Sequence, residues 1–337
     1  MGQIARVLIG SIAVLLLLAI LLFAGPLRSL GRIALLMPEL VPTLPFHPLP
    51  AITEQPIRTS LRVHRADADL YLPASRNPTG GMIMTLGVRP LDKRDPLVVR
   101  VVEGLARSGI AVMIVQSDDL MAGKVVAEEP ENLVQAFQRL RSESSIAPDR
   151  VGFFGFSTGG SIAFMAAADP RIARQVRLVG ALGALADGRL LVGEVASRSF
   201  LDNGARVDWS PSSFTEDVLG QQLIAEDRDR SGAFDSSTLS VATMVRLDAI
   251  SPLRALERFQ SRVFLMVDRS DPLVPYVHSR RLARELPAHK VATYVEFDIF
   301  DHVQPNRAMD IGSLVFELWK LGAVVGSILD ELEPNRR

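Results

Sequence analysis

From about residue 57 onward, short aliphatic runs alternate with stretches of helical periodicity, and this alternation most constrains the fold. Helices are predicted at 96–108 and 132–142, and a hairpin of two edge strands at 61–64 and 68–72. Continuous aliphatic strands separated by helices predict a mostly parallel sheet with helices on both faces. The fold class is therefore α/β. The predicted buried strands are 81–86, 110–115, 151–156, 176–182, 263–267 and 292–297.

The composition excludes several classes of function. The 337 residues carry a net charge of −1, which gives no basic footprint for nucleic acid. The chain has no cysteine, so disulfides, a thiol nucleophile and cysteine-ligated metals are excluded. Its five histidines include no pair at the spacing of a zinc site. The sequence thus predicts no metal, no cofactor and no nucleic-acid partner.

The N-terminal segment is long and apolar enough to cross a membrane. No charged residue lies between Val7 and Leu27, and a helix of about 21 residues spans roughly 30 Å, one hydrocarbon core. Signal peptides have a shorter apolar region, and Phe23-Ala24-Gly25-Pro26 is a poor cleavage site. We expect a single-pass anchor, with its flanks, over residues 1–32. A cleaved signal, which would make the protein secreted, is the alternative.

A proline-rich segment follows the predicted anchor. Prolines at this density favour extended polyproline geometry and form a stiff spacer. We therefore predict a linker over residues 33–56, followed by one globular domain over 57–337. The prolines stand at positions 38, 42, 45, 48, 50 and 56.

The segment Gly155-Phe156-Ser157-Thr158-Gly159 carries the strongest sign of chemistry. It lies between a predicted strand and a predicted helix, the context in which a G-x-S-x-G motif presents a nucleophilic serine. Glycines two residues to either side of Ser157 leave room for a tight turn. The helix N-terminus behind the serine favours the negative charge that develops in acyl transfer. The alternative is a glycine- and serine-rich turn without chemistry.

A nucleophilic serine needs a general base, and histidine is the usual one near neutral pH. Only His302 follows the carboxyl end of the last predicted strand, where the sites of parallel sheets form. We therefore expect His302 to be the base. The other four histidines lie in the linker, an early strand, a helix and a short loop: His47, His64, His278 and His289.

The imidazole in turn needs a carboxylate to orient it. We expect that carboxylate in the loop after the preceding strand, which reads from Asp268 to Pro275. Asp271 begins a proline-rich turn that fixes its backbone, and it is the preferred residue. Asp268, nearer the strand, is the alternative, and either aspartate could instead be an ordinary turn former.

The order Ser157, Asp271, His302, with the elbow Gly-Phe-Ser-Thr-Gly-Gly and the run Asp-Pro-Leu-Val-Pro, resembles the α/β-hydrolase superfamily. The resemblance covers roughly residues 60–330 and implies a serine-hydrolase triad on an eight-stranded sheet. It also implies that the long stretch 184–250 is an inserted lid over the site.

The resemblance further implies an oxyanion hole made of two backbone N–H groups. One belongs to Thr158, after the nucleophile, and the other to the loop after strand 81–86. We expect Val88 there, with Gly87 as the alternative. The superfamily often has His-Gly where this chain has Leu86-Gly87. Arg89 in the same loop could bind an anionic group of the substrate, or be an ordinary surface arginine.

The sequence thus predicts a membrane-tethered serine hydrolase that cleaves a small-molecule or lipid-like carboxylic ester through an acyl-enzyme on Ser157. A peptidase or amidase would use the same triad. The alternative from another class is a non-catalytic, membrane-anchored binding or scaffold protein. It is motivated by Leu86 and Asp268, which stand where the superfamily often has histidine and glycine. Apolar residues at helical spacing over 311–328 predict a final amphipathic helix that packs on the sheet.

Overall fold

The structure is a computed structural model, and it describes residues 31–333 except 42–43, 45–46, 76, 89–90, 231–237 and 306. The predicted membrane span from Val7 to Leu27 lies outside the described residues and stays a prediction. Arg89 also lies outside them.

Eight strands form one sheet in the order β1-β2-β4-β3-β5-β6-β9-β10. β1 and β2 form the antiparallel hairpin, β2 pairs antiparallel with β4, and every later pairing is parallel. The predicted α/β class is confirmed. In chain order the strands are β1 (Ile57–Val63), β2 (Ala66–Leu72), β3 (Gly80–Thr85), β4 (Ile110–Ser117), β5 (Val151–Phe156), β6 (Leu178–Leu182), β7 (Ser199–Asp202), β8 (Ala205–Asp208), β9 (Arg262–Asp268) and β10 (Val291–Phe297).

Helices cover both faces of the sheet, and β7 and β8 form a separate small hairpin. The helices are α1 (31–40), α2 (Leu49–Ile52), α3 (Pro96–Arg107), α4 (Asp118–Met121), α5 (Glu129–Arg141), α6 (Thr158–Ala167), α7 (Gly188–Ser197), α8 (Ser213–Gln222), α9 (Ala225–Arg230), α10 (Val241–Asp248), α11 (Val277–Glu285) and α12 (Ile311–Leu332).

Alternation along the central strands divides the core into two clusters, one on each face of the sheet. We call the side covered by α5, α6 and α11 the α6 face, and the side covered by α1, α3 and α12 the α12 face. On β5, Phe153 points to the α6 face, whereas Phe154 and Phe156 point to the α12 face. This alternation decides which strand residues surround the cavity described below.

Part of the segment predicted as an extended linker is helical: α1 covers residues 33–40 of it and α2 covers Leu49–Ile52. α1 packs between α3 and α12, with Leu36 fully buried. A Cβ on Gly104 of α3 would lie 2.7 Å from Cβ of Glu39, and one on Gly326 of α12 would lie 2.6 Å from Cδ1 of Ile33. Burial of the apolar side chains of α1 outweighs the extended preference of the prolines, because each buried aliphatic residue contributes roughly 1.5–3 kcal/mol.

The inserted stretch 184–250 contains α7, the β7–β8 hairpin, α8, α9 and α10. The final helix α12 packs on the sheet, as its spacing predicts. Among the described residues it is the one helix long and apolar enough to cross a membrane, and 33% of its apolar window is buried inside the protein. Its buried Glu317 accepts a hydrogen bond from the backbone N–H of Asp298 and pairs with Lys320.

Candidate active site

Ser157 occupies the turn between β5 and α6 in a backbone conformation that few residues adopt. Its φ is +54° and its ψ is −133°. Such a conformation costs about 1–3 kcal/mol and persists where the surrounding structure imposes it, often at a functional site. The Ser157 N–H donates to the carbonyl of Leu182, at the end of β6, over 2.8 Å. Two adjacent strands therefore hold the serine at their carboxyl ends.

The glycines on either side of Ser157 are required by close backbone contacts. A Cβ on Gly155 would lie 2.4 Å from the backbone nitrogen of Gly160. A Cβ on Gly159 would lie 2.4 Å from the carbonyl oxygen of Leu86. Neither backbone atom can move away as a flexible side chain would, so this tight turn excludes side chains at both positions.

His302 and Asp271 form a buried pair at the carboxyl ends of the last strands. His302 Nδ1 donates to Asp271 Oδ2 over 2.6 Å, and both side chains are nearly inaccessible to solvent. The other oxygen, Oδ1, accepts the backbone N–H groups of Leu273 and Val274. A neutral imidazole that donates from Nδ1 to this carboxylate carries its lone pair on Nε2. This is the tautomer a general base requires.

The end of β6 brings this pair close to the serine. Gly183 follows Leu182, whose carbonyl holds the Ser157 N–H, and a Cβ on Gly183 would lie 3.0 Å from His302 Cε1 and 3.5 Å from Asp271 Oδ2. Ser157 and His302 also line the same cavity. The structure thus places Asp271 and His302 in direct contact, and Ser157 and His302 on the wall of one cavity.

Asp268, the alternative carboxylate, is occupied elsewhere. Its two oxygens accept from the two terminal nitrogens of Arg307 over 3.0 and 2.7 Å, and Oδ1 also accepts the N–H of Ser270. Burial raises the pKa of Asp268 above its usual value, against the opposing effect of these hydrogen bonds. Arg307 lies in the loop after His302 and donates its own N–H to the carbonyl of Ile299. Asp268 therefore fastens the His302 loop, a role that sequence reasoning missed.

The loop after β3 lies directly against the serine. A Cβ on Gly87 would be 2.9 Å from Cβ and 3.2 Å from Oγ of Ser157. Val88 is buried and lines the cavity beside it, and Thr158 is the first residue of α6. Thr158 therefore follows Ser157 in the chain and Gly87 lies against it, while Val88 lines the same cavity.

A cavity of about 740 Å³ begins at Ser157 and His302 and extends along the α12 face. Its walls are mostly apolar, with polar side chains near the serine end. This volume lies within the range of sites for drug-sized ligands. The lining of strands and covering helices includes Met82, Met84, Phe154, Phe156, Leu182, Met266, Val98, Leu105, Leu321, Val325, Ile328 and Leu329.

The inserted stretch 184–250 forms hydrogen bonds to the loop that carries Asp271. Trp209 Nε1 donates to the carbonyl of Asp271, and Thr215 Oγ1 donates to that of Leu273. Of the aromatic residues in the insertion, Phe214 lines the cavity and Phe200 packs against Tyr276. Phe234 lies outside the described residues. The aromatic content of the insertion was visible in the sequence, but its hydrogen bonds to the acid loop were not.

No metal-binding cluster of histidine, aspartate and glutamate occurs among the described residues. The buried His278 accepts the N–H of Ala186 at Nδ1 and therefore donates from Nε2 to Glu194 over 2.8 Å. This pair joins α11 to α7 and lies away from the cavity lining.

Comparisons with solved structures show that the chain has the α/β-hydrolase fold. The 2,6-dihydroxy-pseudo-oxynicotine hydrolase is 16% identical, with a TM-score of 0.56 over 81% of this chain and 68% of its own. The Pyrococcus furiosus esterase is 13% identical, with a TM-score of 0.52 over 87% and 96% of the two chains. The predicted fold is confirmed, and at these identities the likeness extends to the fold alone.

A puromycin-hydrolyzing peptidase of Mycobacterium tuberculosis is also similar. It is 17% identical, with a TM-score of 0.53 over 81% of this chain, which spans only 39% of the peptidase. No protein-family model and no curated protein matches the chain.

Proposed function

We propose that this protein is a serine hydrolase that cleaves a carboxylic ester with a large apolar acyl group. The observation that carries the proposal is the buried His302–Asp271 pair next to the strained Ser157, at the mouth of an apolar cavity. The similar solved structures include an esterase and other hydrolases, which supports the same reaction class.

In this mechanism Ser157 Oγ attacks the ester carbonyl carbon while His302 Nε2 takes the hydroxyl proton. Asp271 orients the imidazole and stabilises its cation. The N–H groups of Thr158 and Val88 stabilise the oxyanion of the tetrahedral intermediate. Its collapse breaks the bond to the alkoxy oxygen, which leaves as the alcohol with the proton from His302. Water then attacks the acyl-enzyme, with His302 again as base, and releases the acid and Ser157.

The first test is labelling of the full-length chain with a fluorophosphonate probe, together with hydrolysis of p-nitrophenyl esters. We expect the protein to be labelled, and Ser157→Ala to lose labelling and roughly 10⁵-fold in kcat while its thermal unfolding stays within a few degrees. A folded protein that the probe does not label, and whose Ser157→Ala variant keeps the wild-type phenotype, would instead support a non-catalytic binding or scaffold protein.

The two aspartates provide a matched test of the acid. Asp271→Asn should lower kcat by roughly 10³–10⁴, because the amide no longer holds the imidazole in the required tautomer. Asp268→Asn should lower the melting temperature and leave kcat within about tenfold, because Asp268 contacts Arg307 and not His302. The reverse pattern would assign the acid to Asp268.

The bond that is cleaved is a separate question, since the same triad cleaves esters and amides and a similar structure is a peptidase. A p-nitrophenyl ester and the p-nitroanilide of the same acyl group make the comparison. We expect the ester to have the higher kcat/KM. A higher kcat/KM for the anilide would favour an amidase or peptidase.

We further propose that the uncharged segment from Val7 to Leu27 anchors the enzyme to a membrane, consistent with an apolar substrate. The protein should then resist extraction with alkaline carbonate and dissolve in detergent. Sequencing of the mature N-terminus gives the deciding result: cleavage near Ala24 would make the protein a secreted enzyme.

A further inference from the structure

The cavity is elongated along the strands of the α12 face. Its lining on β3 runs from Met82 up to Leu86, which corresponds to roughly 13 Å of extended chain, and Gly87 and Val88 continue it beside Ser157. Its lining on α12 runs from Leu321 to Leu329, roughly 12 Å of helix. Two independent elements therefore give the same depth below the level of Ser157.

Beyond the lining residues Met82 and Leu329, β3 and the segment before β5 are in contact with the last turns of α12. A Cβ on Gly80 would lie 2.4 Å from the carbonyl oxygen of Leu332, so strand and helix touch there. Arg150, just before β5, donates to the carbonyl oxygens of Glu331 and Glu333.

The chemistry of the lining changes along the cavity. The polar side chains lie around the serine end, where Ser157 and His302 meet residues of the loops. Below them the walls come from methionine, leucine, valine, isoleucine and phenylalanine, without a charged side chain. A charged or hydrogen-bonding group there would lose its water without gaining a partner. The lower part therefore accepts a chain of hydrocarbon.

We propose that this lower part, which we call the acyl channel, holds the alkyl chain of a fatty acyl ester. Val325 lies at its middle and Ile328 at its foot, so the two residues determine acyl-chain length. This inference rests on the proposed function, because the ester carbonyl must sit at Ser157 for the chain to extend down the channel. It adds to that function the class of the acyl group and the residues that limit the length of its chain.

The experiment is a chain-length profile of the full-length protein in one detergent, with p-nitrophenyl esters from acetyl to palmitoyl. We expect kcat/KM to rise about fourfold per methylene from acetyl to octanoyl, the value for burial of a CH₂ group. A flat profile, or a preference for the compact benzoyl ester over octanoyl, would overturn the acyl channel.

Variants on opposite sides of α12 make the test specific. Ile328→Trp should lower kcat/KM for the longer chains at least tenfold more than for the acetyl ester, because it blocks the foot. Val325→Trp should impose the same loss at a shorter chain length, because it blocks the middle. Ser327→Trp is the matched control: Ser327 is exposed on the outer side of α12, so the profile should not change. Equal profiles for all three variants would refute the assignment.

A binding measurement distinguishes failure of this inference from failure of the proposed hydrolysis. It also keeps the inference testable if one of the tryptophan variants folds poorly. Ser157→Ala should bind a fluorescent undecanoic acid, and addition of Val325→Trp should weaken that binding at least tenfold. If the wild type hydrolyses no ester but this binding pattern holds, the channel stands and the hydrolase proposal fails. If acetyl ester is cleaved but the fatty acid does not bind, the hydrolase stands and the channel fails.

Discussion

Phe153 and Phe154 are neighbours on β5, but their side chains lie on opposite faces of the sheet and in different surroundings. Phe153 is fully buried on the α6 face, with its ring 5.5 Å from that of Phe137. Phe154, on the α12 face, lines the cavity. The α6 face is packed by helices from consecutive crossover connections, whereas the α12 face is covered partly by the two ends of the described chain, α1 and α12. The same strands therefore form a filled core on one face and the wall of a cavity on the other.

The largest effect expected from this comparison is on stability. Phe153→Ala should lower the free energy of unfolding by about 4 kcal/mol, because it leaves a cavity in a closed core. Phe154→Ala removes the same atoms from the wall of an existing cavity and should cost about 1–2 kcal/mol. Urea unfolding of both variants measures the difference. Equal losses would mean that the two faces are packed alike.

Insertion of volume should give the complementary result with a smaller effect. Val134→Phe overpacks α5 on the α6 face and should cost about 2 kcal/mol, whereas Val325→Phe extends into the cavity and should cost less than about 0.5 kcal/mol. Thermal and urea unfolding are sufficient to compare them. A Val325→Phe variant as unstable as Val134→Phe would argue that the cavity closes in solution.

The smallest expected effect on stability comes from substitution of one buried carboxylate on each face, and it depends on pH. Burial alone would raise the pKa of Asp69 on the α12 face, but hydrogen bonds from Ser60 and Arg58 and the charge of Lys93 lower it below the usual value. Its charged form therefore stabilises the fold above the unfolded-state pKa, and this stabilisation is lost as the pH falls through the folded-state pKa. Asp69→Asn should lower the free energy of unfolding by about 1.5 kcal/mol at pH 7. This difference between the variant and the wild type should decrease below about pH 4.

The carboxylate of the α6 face should respond in the opposite sense. Burial raises the pKa of Glu129, whose hydrogen bonds come from the neutral side chains of Ser117 and Asn132. Its charged form is penalised in the folded state, so Glu129→Gln should become more favourable relative to wild type as the pH rises above about 4. Urea midpoints at several pH values compare the two variants. Parallel pH profiles would contradict the assignment of Asp69 and Glu129 to different electrostatic environments.

Much of the fold follows from local sequence pattern. Aliphatic strands and the strand–turn–helix at Ser157 are short-range signals, and they were enough to predict the α/β class. The α/β-hydrolase fold was implied by the resemblance that the order of Ser157, Asp271 and His302 carries. The juxtaposition of Asp271 and His302 was predicted from strand order, because the carboxyl ends of parallel strands meet at one edge.

Other features depend on contacts between distant residues and left no local signal. Arg307 pairs with Asp268 across 39 positions, and a lone arginine in a loop does not identify its partner. The number of prolines predicted an extended linker. The packing of α1 was missed because local backbone preference carries no information on the groove between α3 and α12 in which this helix lies. The acyl channel was invisible for the same reason: its lining consists of ordinary core residues until their arrangement is known.

The packing of α1 has a practical consequence for any shortened form of the enzyme. Removal of everything before β1 would be the natural way to obtain a protein without its apolar N-terminal segment. Leu40 of α1 lines the cavity, and Leu36 is buried against α3 and α12. A chain that begins at residue 57 would therefore expose one side of the cavity to water. A shortened chain that keeps this wall of the cavity has to retain α1, from residue 31 onward.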